Sequence, residues 1–398
     1  MTTRSASLPS SGATTPKHPD ALRTVLIGVA GGIGYVHLRE LEANPHLICH
    51  GAFDLYPQEP AVANGLAHVL KLGGQIYRSY AEVLADPAVE AVDLCVPHHF
   101  HRPYAVAAFQ AGKHVLVEKP MASSPEDCQA MQAARRTSGR VGAVQMQHLG
   151  RSSMLDLRAQ LAAGAIGQIK EVFISSLWFR TEAYYQRAGW AGKMKVDGAW
   201  CVDGALFNQC IHYVVQGLVL ANPAGAVQVS GFRALHAALY KFHEAPNLEA
   251  GDTCFATATL ETPDQPRLTL VGTTASATER HRIDILGTQG RAMWNGSGFL
   301  YPDGQPTQEF TDDNQFFDGT SRIFTSFARA ARGQGTALTD FTAIAPASTF
   351  IFNCYESAQW QIKPVAWRHA QDLPGQIIPA VCAQRCLPGS LKTPPTWA

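Results

Sequence analysis

Several things are missing from this sequence, and each absence narrows the problem. No apolar run approaches the ~20 residues that a membrane-spanning helix needs, and Lys and Arg never gather into a basic block. With 32 basic and 32 acidic residues the net charge is zero, so neither nucleic acid nor a membrane surface is an expected partner. The nine cysteines are scattered and odd in number. Cys382 and Cys386 lie close together, but no second cysteine or histidine pair completes a zinc site. No metal is expected, and the thiols read as free in a reducing compartment. Residues 1–20 are rich in Ser, Thr and Pro and lack the apolar stretch of a secretory signal. They are expected to form a disordered tail, with a cytoplasmic location by default.

What is present is apolar and long. A 46% hydrophobic share over 398 residues predicts two domains, each with its own core. Residues 24–29 read as a buried strand that runs through Gly28, Ala30, Gly31, Gly32, Ile33 and Gly34 into a helix reaching about Ala43. Such a turn brings backbone N–H groups against a pyrophosphate at a helix N-terminus. A second strand, residues 47–53, ends at Asp54. That acid lies about 20 residues past Gly34, the distance at which a carboxylate holds the adenosine ribose hydroxyls. Leu55-Tyr56-Pro57 offers no arginine for a 2′-phosphate, so NAD is expected rather than NADP. A glycine turn with an incidental aspartate is the bland alternative.

Next come a strand at 91–96 ending at Pro97, a short helix at 103–111, and His114-Val115-Leu116-Val117-Glu118-Lys119-Pro120. Pro120 removes a backbone donor and pushes Lys119 into an extended conformation. The lysine then stands at the carboxyl end of a strand, where open α/β sheets bind ligands. An ion pair between Glu118 and Lys119 explains the heptapeptide equally well. Ser124-Pro125-Glu126-Asp127 opens a helix with a serine cap, a first-turn proline and two acids, and 141–144 is a further strand. Strands alternating with helices predict a doubly wound parallel Rossmann sheet over residues 21–145.

After residue 150 the rhythm changes. Segments 169–178, 226–234, 252–261, 267–274 and 281–286 read as strands, with Cys254, Ala256, Ala258 and Leu260 the clearest alternation. Helices are expected near 203–219, 321–332 and 343–360. Residues 146–365 are thus expected to form a second α/β domain with a large, mostly antiparallel open sheet. Residues 366–398, with no clear period, are expected to be a C-terminal tail.

The run Val96-Pro97-His98-His99-Phe100-His101, then residues 111–120, resembles the Gfo/Idh/MocA oxidoreductases (glucose–fructose oxidoreductase, inositol dehydrogenase and relatives). The likeness continues through Gly164-Ala165-Ile166-Gly167, Tyr184-Tyr185, Trp190-Ala191-Gly192, residues 204–212, Gly287-Thr288-Gln289-Gly290 and Tyr355-Glu356-Ser357. It implies a tightly held nicotinamide cofactor, sugar-like or cyclitol substrates, and self-association through the open sheet as dimers or tetramers. Three departures stand out. Val29 replaces the first family glycine, with Gly28 one position earlier. His98 replaces an asparagine. Asn208 replaces the acid that many members carry four residues before the active-site histidine.

Oxidising a secondary alcohol needs a base and a charge that stabilises the developing alkoxide. His212 is the expected base, with Asn208 beside it on one turn, and Lys119 is expected at the substrate oxygen. Tyr185 and Trp190 are expected to stack on a sugar ring, although ordinary core aromatics would look the same. Pro97, His98, His101 and Glu118 are expected near the cofactor. Four readings compete. They are an NAD-dependent sugar, glycoside or cyclitol dehydrogenase, a redox-assisted glycosidase or epimerase that recycles bound NAD, a dihydrodiol dehydrogenase, and a cofactor-binding regulator without chemistry. Lys119 and His212 argue against the last.

Overall fold

The computed structural model describes residues 16–29, 31–225, 231–312 and 317–364. Apolar runs flanked by glycine turns give the first half a strict alternation of strand and helix. Its elements are β1 (Leu22–Ile27), α1 (Gly31–Ala43), β2 (Leu47–Phe53), α2 (Pro60–Lys71), β3 (Gln75–Ile76), α3 (Tyr80–Ala85), β4 (Ala91–Leu94), α4 (His98–Gln110), β5 (His114–Glu118), α5 (Pro125–Ser138) and β6 (Gly142–Gln145). The six strands form one parallel sheet in the order β3-β2-β1-β4-β5-β6. The order reverses at β1, so the crevice for a ligand opens beyond the carboxyl ends of β1 and β4. All of β4 and β5 is buried, as strands covered on both faces must be.

The second half contains α6 (Ser152–Ala162), β7 (Ile169–Phe179), β8 (Lys195–Val196), β9 (Ala199–Trp200), α7 (Ile211–Ala221), β10 (Phe232–Lys241), β11 (Thr253–Leu260), β12 (Arg267–Thr273), β13 (Ala275–Gly287), β14 (Gly290–Trp294), β15 (Gly298–Pro302), β16 (Gln308–Phe310), α8 (Phe317–Ala331), α9 (Phe341–Ser357) and β17 (Ile362–Pro364). Nine of these strands form a mixed, mostly antiparallel sheet in the order β16-β15-β14-β13-β7-β12-β11-β10-β17. Only the β7–β12 and β10–β17 pairs are parallel. The helix α7 is buried throughout and packs on one face of this sheet.

Several expectations need correcting. The segment near 203–219 is not one α-helix. Leu206–Cys210 is a π-helical turn that leads into α7. The helix expected at 103–111 begins at His98 and carries Pro103 inside it, at the cost of one backbone bond. The strand expected at 226–234 is seen from Phe232; residues 226–230 are outside the described set. Within the expected N-terminal tail, Lys17 is fixed. Its Nζ donates to the carbonyls of Leu41, Glu42 and Asn44 at 2.9, 2.7 and 2.9 Å, satisfying the open end of α1. Residues 1–15, the tail at 366–398, and Cys382 and Cys386 lie outside the described residues. Helix α8, from the stretch expected to be the second domain, returns to the first. Its Ile323, Phe324, Phe327 and Ala328 share a core with Leu22, Leu26, Leu38 and Leu116.

Candidate active site

The glycine turn after β1 is built on steric need. Gly28 has φ +92°, and a side chain there would collide with the carbonyl of Cys95. At Gly34 a Cβ would lie 2.6 Å from the Gly28 oxygen, so glycine lets α1 pack down on the turn. At Gly32 it would meet nothing, and Ile33 is 38% exposed, so the outer side of the turn is open. Asp54 stands across from it. Its Oδ2 accepts the Val29 N–H at 2.8 Å and its Oδ1 accepts the Tyr56 N–H at 3.0 Å. Each oxygen keeps a lone pair for a ribose hydroxyl. A positive-φ glycine, an open helix N-terminus and a fixed carboxylate fit a dinucleotide. Ala30, expected among its contacts, is outside the described residues.

The residues after β4 and β5 divide into two kinds. Pro97 is the N-cap residue of α4. His101 is buried, with Nδ1 2.7 Å from the Pro120 oxygen and Nε2 2.9 Å from the Val96 oxygen, and braces the two strand-end loops against each other. The ring of His98 lies 5.6 Å from that of Trp190, and its Nδ1 is 3.1 Å from the Cys201 oxygen. Burial first, then His101 and Lys119, holds the His98 pKa well below 6.5. Glu118 is also buried, and its carboxylate is turned inward. Oε1 faces His37 Nε2 at 3.2 Å and Oε2 accepts the Lys119 N–H at 3.0 Å.

Lys119 reaches the other domain. Its Nζ donates to the carbonyl oxygen and to Oδ1 of Asn208, both at 2.9 Å. The Asn208 amide cannot be flipped, because its Nδ2 donates to Asp203 Oδ1 at 2.5 Å, and a carboxylate only accepts. Nδ2 also donates to the Tyr184 hydroxyl at 2.9 Å, and Gln209 Nε2 donates to the same oxygen at 2.6 Å. Having accepted twice, the Tyr184 hydroxyl keeps its own proton to donate. Asp203 Oδ2 takes the Arg187 guanidinium at 2.7 Å, and that guanidinium lies over the rings of Tyr184 and Trp190 at 4.1 and 4.7 Å.

His212 follows the π turn on α7. Its Nδ1 is buried and has no hydrogen-bond partner among the described residues. The ring stacks on His148 with centroids 4.8 Å apart. Burial, then His148, Lys119 and His281, pushes the His212 pKa well below 6.5. Burial also lowers Lys119; Glu118 and Asp203 oppose that shift, and Arg187 and Arg180 add to it. The arrangement therefore joins an ammonium, a fixed amide and a neutral imidazole across the two domains.

Tyr185 sits elsewhere than expected. It is 1% exposed, packs with Ala245 and Leu248, and its hydroxyl is 2.5 Å from Thr274 Oγ1. Its neighbour Tyr184 is the one at the site. Asp203, Tyr184, Arg187 and His148 were not among the residues expected to act. Two of them carry a sequence signal: Tyr184 belongs to the Tyr184-Tyr185 motif, and His148 follows the carboxyl end of β6 as Lys119 follows β5.

Residues 22–148 match the family described as the oxidoreductase family with an NAD-binding Rossmann fold, and residues 154–293 match the GFO/IDH/MocA C-terminal domain. The chain belongs to the Gfo/Idh/MocA oxidoreductase family. Among curated relatives, an uncharacterised oxidoreductase of Rhizobium meliloti is 28% identical over 221 residues, 54% of this chain and 58% of that protein. The 1-carboxy-3-chloro-3,4-dihydroxycyclohexa-1,5-diene dehydrogenase of Comamonas testosteroni is 35% identical over 127 residues, 32% of this chain and 30% of that one. The chain thus spans under two thirds of the length of these relatives. An inordinately close sequence is not needed for the fold: an inositol dehydrogenase homologue of Azotobacter vinelandii, crystallised with NAD+, superposes with a TM-score of 0.71 at 19% identity, over 87% of this chain and 97% of that one.

Proposed function

We propose that the protein is an NAD-dependent dehydrogenase that moves a hydride between a ring carbinol of a sugar, glycoside or cyclitol and the nicotinamide. One observation carries this reading. Lys119, at the end of a strand of the NAD-binding domain, is hydrogen-bonded to Asn208, one turn before a buried histidine with an unpartnered ring nitrogen. The family, and relatives named for cyclic diols and inositol, support the class of substrate.

The dinucleotide would be held by the Gly28–Gly34 turn, the N-terminus of α1 and Asp54, and when bound it supplies the hydride acceptor. A 2′-phosphate would meet the Asp54 carboxylate, which favours NAD over NADP. The residues of the chain do the rest. Asn208 takes two of the Lys119 protons and leaves the third for the substrate oxygen. The ammonium there stabilises the developing alkoxide. His212, held neutral at pH 7 by its lowered pKa, is the imidazole that accepts the hydroxyl proton. Trp190 and Tyr184, held by Arg187, offer aromatic faces to the apolar side of a ring.

The reading extends to a homo-oligomer formed through the open sheet face, where Phe179 and Leu286 are 52% and 43% exposed. It also extends to the cytoplasm, in keeping with seven free cysteines among the described residues. No helix of the described residues is long and apolar enough to cross a membrane. Incubation with NAD and a panel of sugars, glycosides, cyclitols and dihydrodiols tests the proposal. NADH absorbance should rise with a cyclic polyol. Product formed without NADH would overturn it in favour of in-place recycling, and no product with any compound would leave a non-catalytic binder.

A further inference from the structure

Beneath the cleft lies a chain of hydrogen bonds that the proposed chemistry does not use. His37 on α1 has Nδ1 2.9 and 3.0 Å from the two oxygens of Asp93 on β4. Its Nε2 is 3.2 Å from Oε1 of Glu118, the last residue of β5. Cys95 Sγ lies 3.1 Å from Nδ1, and the ring of Phe324 on α8 stands edge-on at 5.0 Å. The side chains of His37 and Asp93 are fully buried. One imidazole thus ties together the helix behind the glycine turn, the strand that ends under Gly28, and the strand that ends in Lys119.

An imidazole facing an ionised carboxylate with each nitrogen donates from both and carries a positive charge. Against the penalty of full burial, the Asp93 carboxylate, then Cys95, holds the His37 pKa well above 6.5. Glu40 is a further acid on α1 within its electrostatic reach. Glu118 and Lys119 are adjacent and opposite in charge, yet they make no ion pair with each other. The carboxylate is spent on His37 and on the Lys119 backbone, and the ammonium is spent on Asn208. The other charged or titratable groups facing that ammonium are Asp203, Arg187, Arg180, His98 and His212.

We propose that His37 is a positioning residue for Lys119. Clamped by Asp93, it holds the Glu118 carboxylate turned into the sheet and so keeps it from closing an ion pair with the neighbouring ammonium. Without that clamp Glu118 is free to turn toward the adjacent Lys119, and a lysine paired there has lost its donors for Asn208 and the substrate. The role rests on the reading of Lys119 as the group that meets the substrate oxygen, but the clamp itself belongs to the free protein.

The test uses the full chain labelled with 15N-lysine, without substrate. The Lys119 resonance is identified by its loss in Lys119→Met. In His37→Gln the titration midpoint of Lys119 should rise, because the ammonium gains a close counter-charge. In the double variant His37→Gln/Glu118→Gln it should return toward the wild-type value. Turnover should follow: a kcat loss on the order of 10- to 100-fold in the single variant, with most of it recovered in the double. A clamp that only stabilised the fold would give a double variant no better than the single. An unmoved midpoint in His37→Gln, or no recovery in the double, overturns the proposal. If His37→Gln does not fold, Asp93→Asn weakens the clamp from its far end; the same upward shift is expected, and an unmoved midpoint there overturns it too. A wild-type protein that oxidises no compound would defeat the dehydrogenase reading and leave the resonance measurement to decide the clamp.

Discussion

His37 and His212 are both buried imidazoles, and they differ in what surrounds them. His37 has a carboxylate at each nitrogen and sits among the elements of the sheet. His212 stacks on another imidazole, faces the Lys119 cation and leaves Nδ1 without a partner among the described residues. Burial penalises the charge on both. Only His37 has acids beside it to outweigh that penalty. Satisfied on both sides, His37 can hold a structure; with no hydrogen bond spent on either ring nitrogen among the described residues, His212 can take a proton from something that arrives. Burial alone does not separate a structural histidine from a reactive one. The unspent valence does.

The largest expected effects test that division. His212→Asn should lower kcat by about 10²–10⁴-fold, as loss of a general base does, with cofactor affinity within about twofold as read by NADH fluorescence. A His37→Gln loss as large as that in His212→Asn and not relieved by Glu118→Gln would break the contrast between the two histidines. Lys119→Arg should cost about 10²–10³-fold in kcat, because a planar fork cannot replace a compact ammonium between Asn208 and a substrate oxygen. Steady-state rates close to wild type would remove Lys119 from the chemistry.

The two environments also predict opposite pH dependences of stability. His148, taken down to about 3 by burial, then by Arg151 and His281, and His212 both bind protons more readily when unfolded. Stability should therefore fall as pH drops below 6.5, for His148 until about 3. His37 acts in the reverse sense. Its contribution is complete below 6.5 and is lost as pH climbs through its raised native value. Melting temperatures across pH should show a shallower acid-side loss in His148→Phe. In His37→Gln the loss should shrink on the alkaline side instead.

The smallest effects separate the two adjacent tyrosines. Tyr184→Phe removes the oxygen that accepts from Asn208 and Gln209 and should reduce kcat/KM several-fold. Tyr185→Phe deletes the bond to Thr274 and should cost about 0.5–1.5 kcal/mol of stability, seen in a denaturant midpoint, with a smaller effect on turnover than Tyr184→Phe.

The Rossmann half was legible because its signals are local. Its buried strands are mainly apolar, the turn at Gly28 needs a conformation that glycine supplies, and Ser124 and Pro125 announce α5 by capping chemistry. The pair of Lys119 and His212 could be named from motifs. What joins them could not, because Asp203, Tyr184 and Arg187 lie on the connections around β8 and β9, whose path is set by tertiary contacts such as Gly192 N–H on Asp203 and Gly204 pressed against the Ala250 carbonyl. Adjacent tyrosines give no local sign of which faces the core. Helix α6 escaped for another reason: Met154, Leu157 and Leu161 keep helical spacing, but the helix is only 11 residues long and has no side-chain cap to mark its start.

The return of α8 has a consequence for how the chain matures. Leu22, Leu26, Leu38 and Leu116 are covered by Ile323, Phe324 and Phe327, which are synthesised some two hundred residues after the sheet they complete. A fragment that stops at residue 145 holds every strand of the nucleotide-binding sheet yet leaves that apolar seam bare, and it should be prone to aggregate. The first domain to be translated is thus among the last to be finished, and a truncation meant to isolate it has to carry α8 with it.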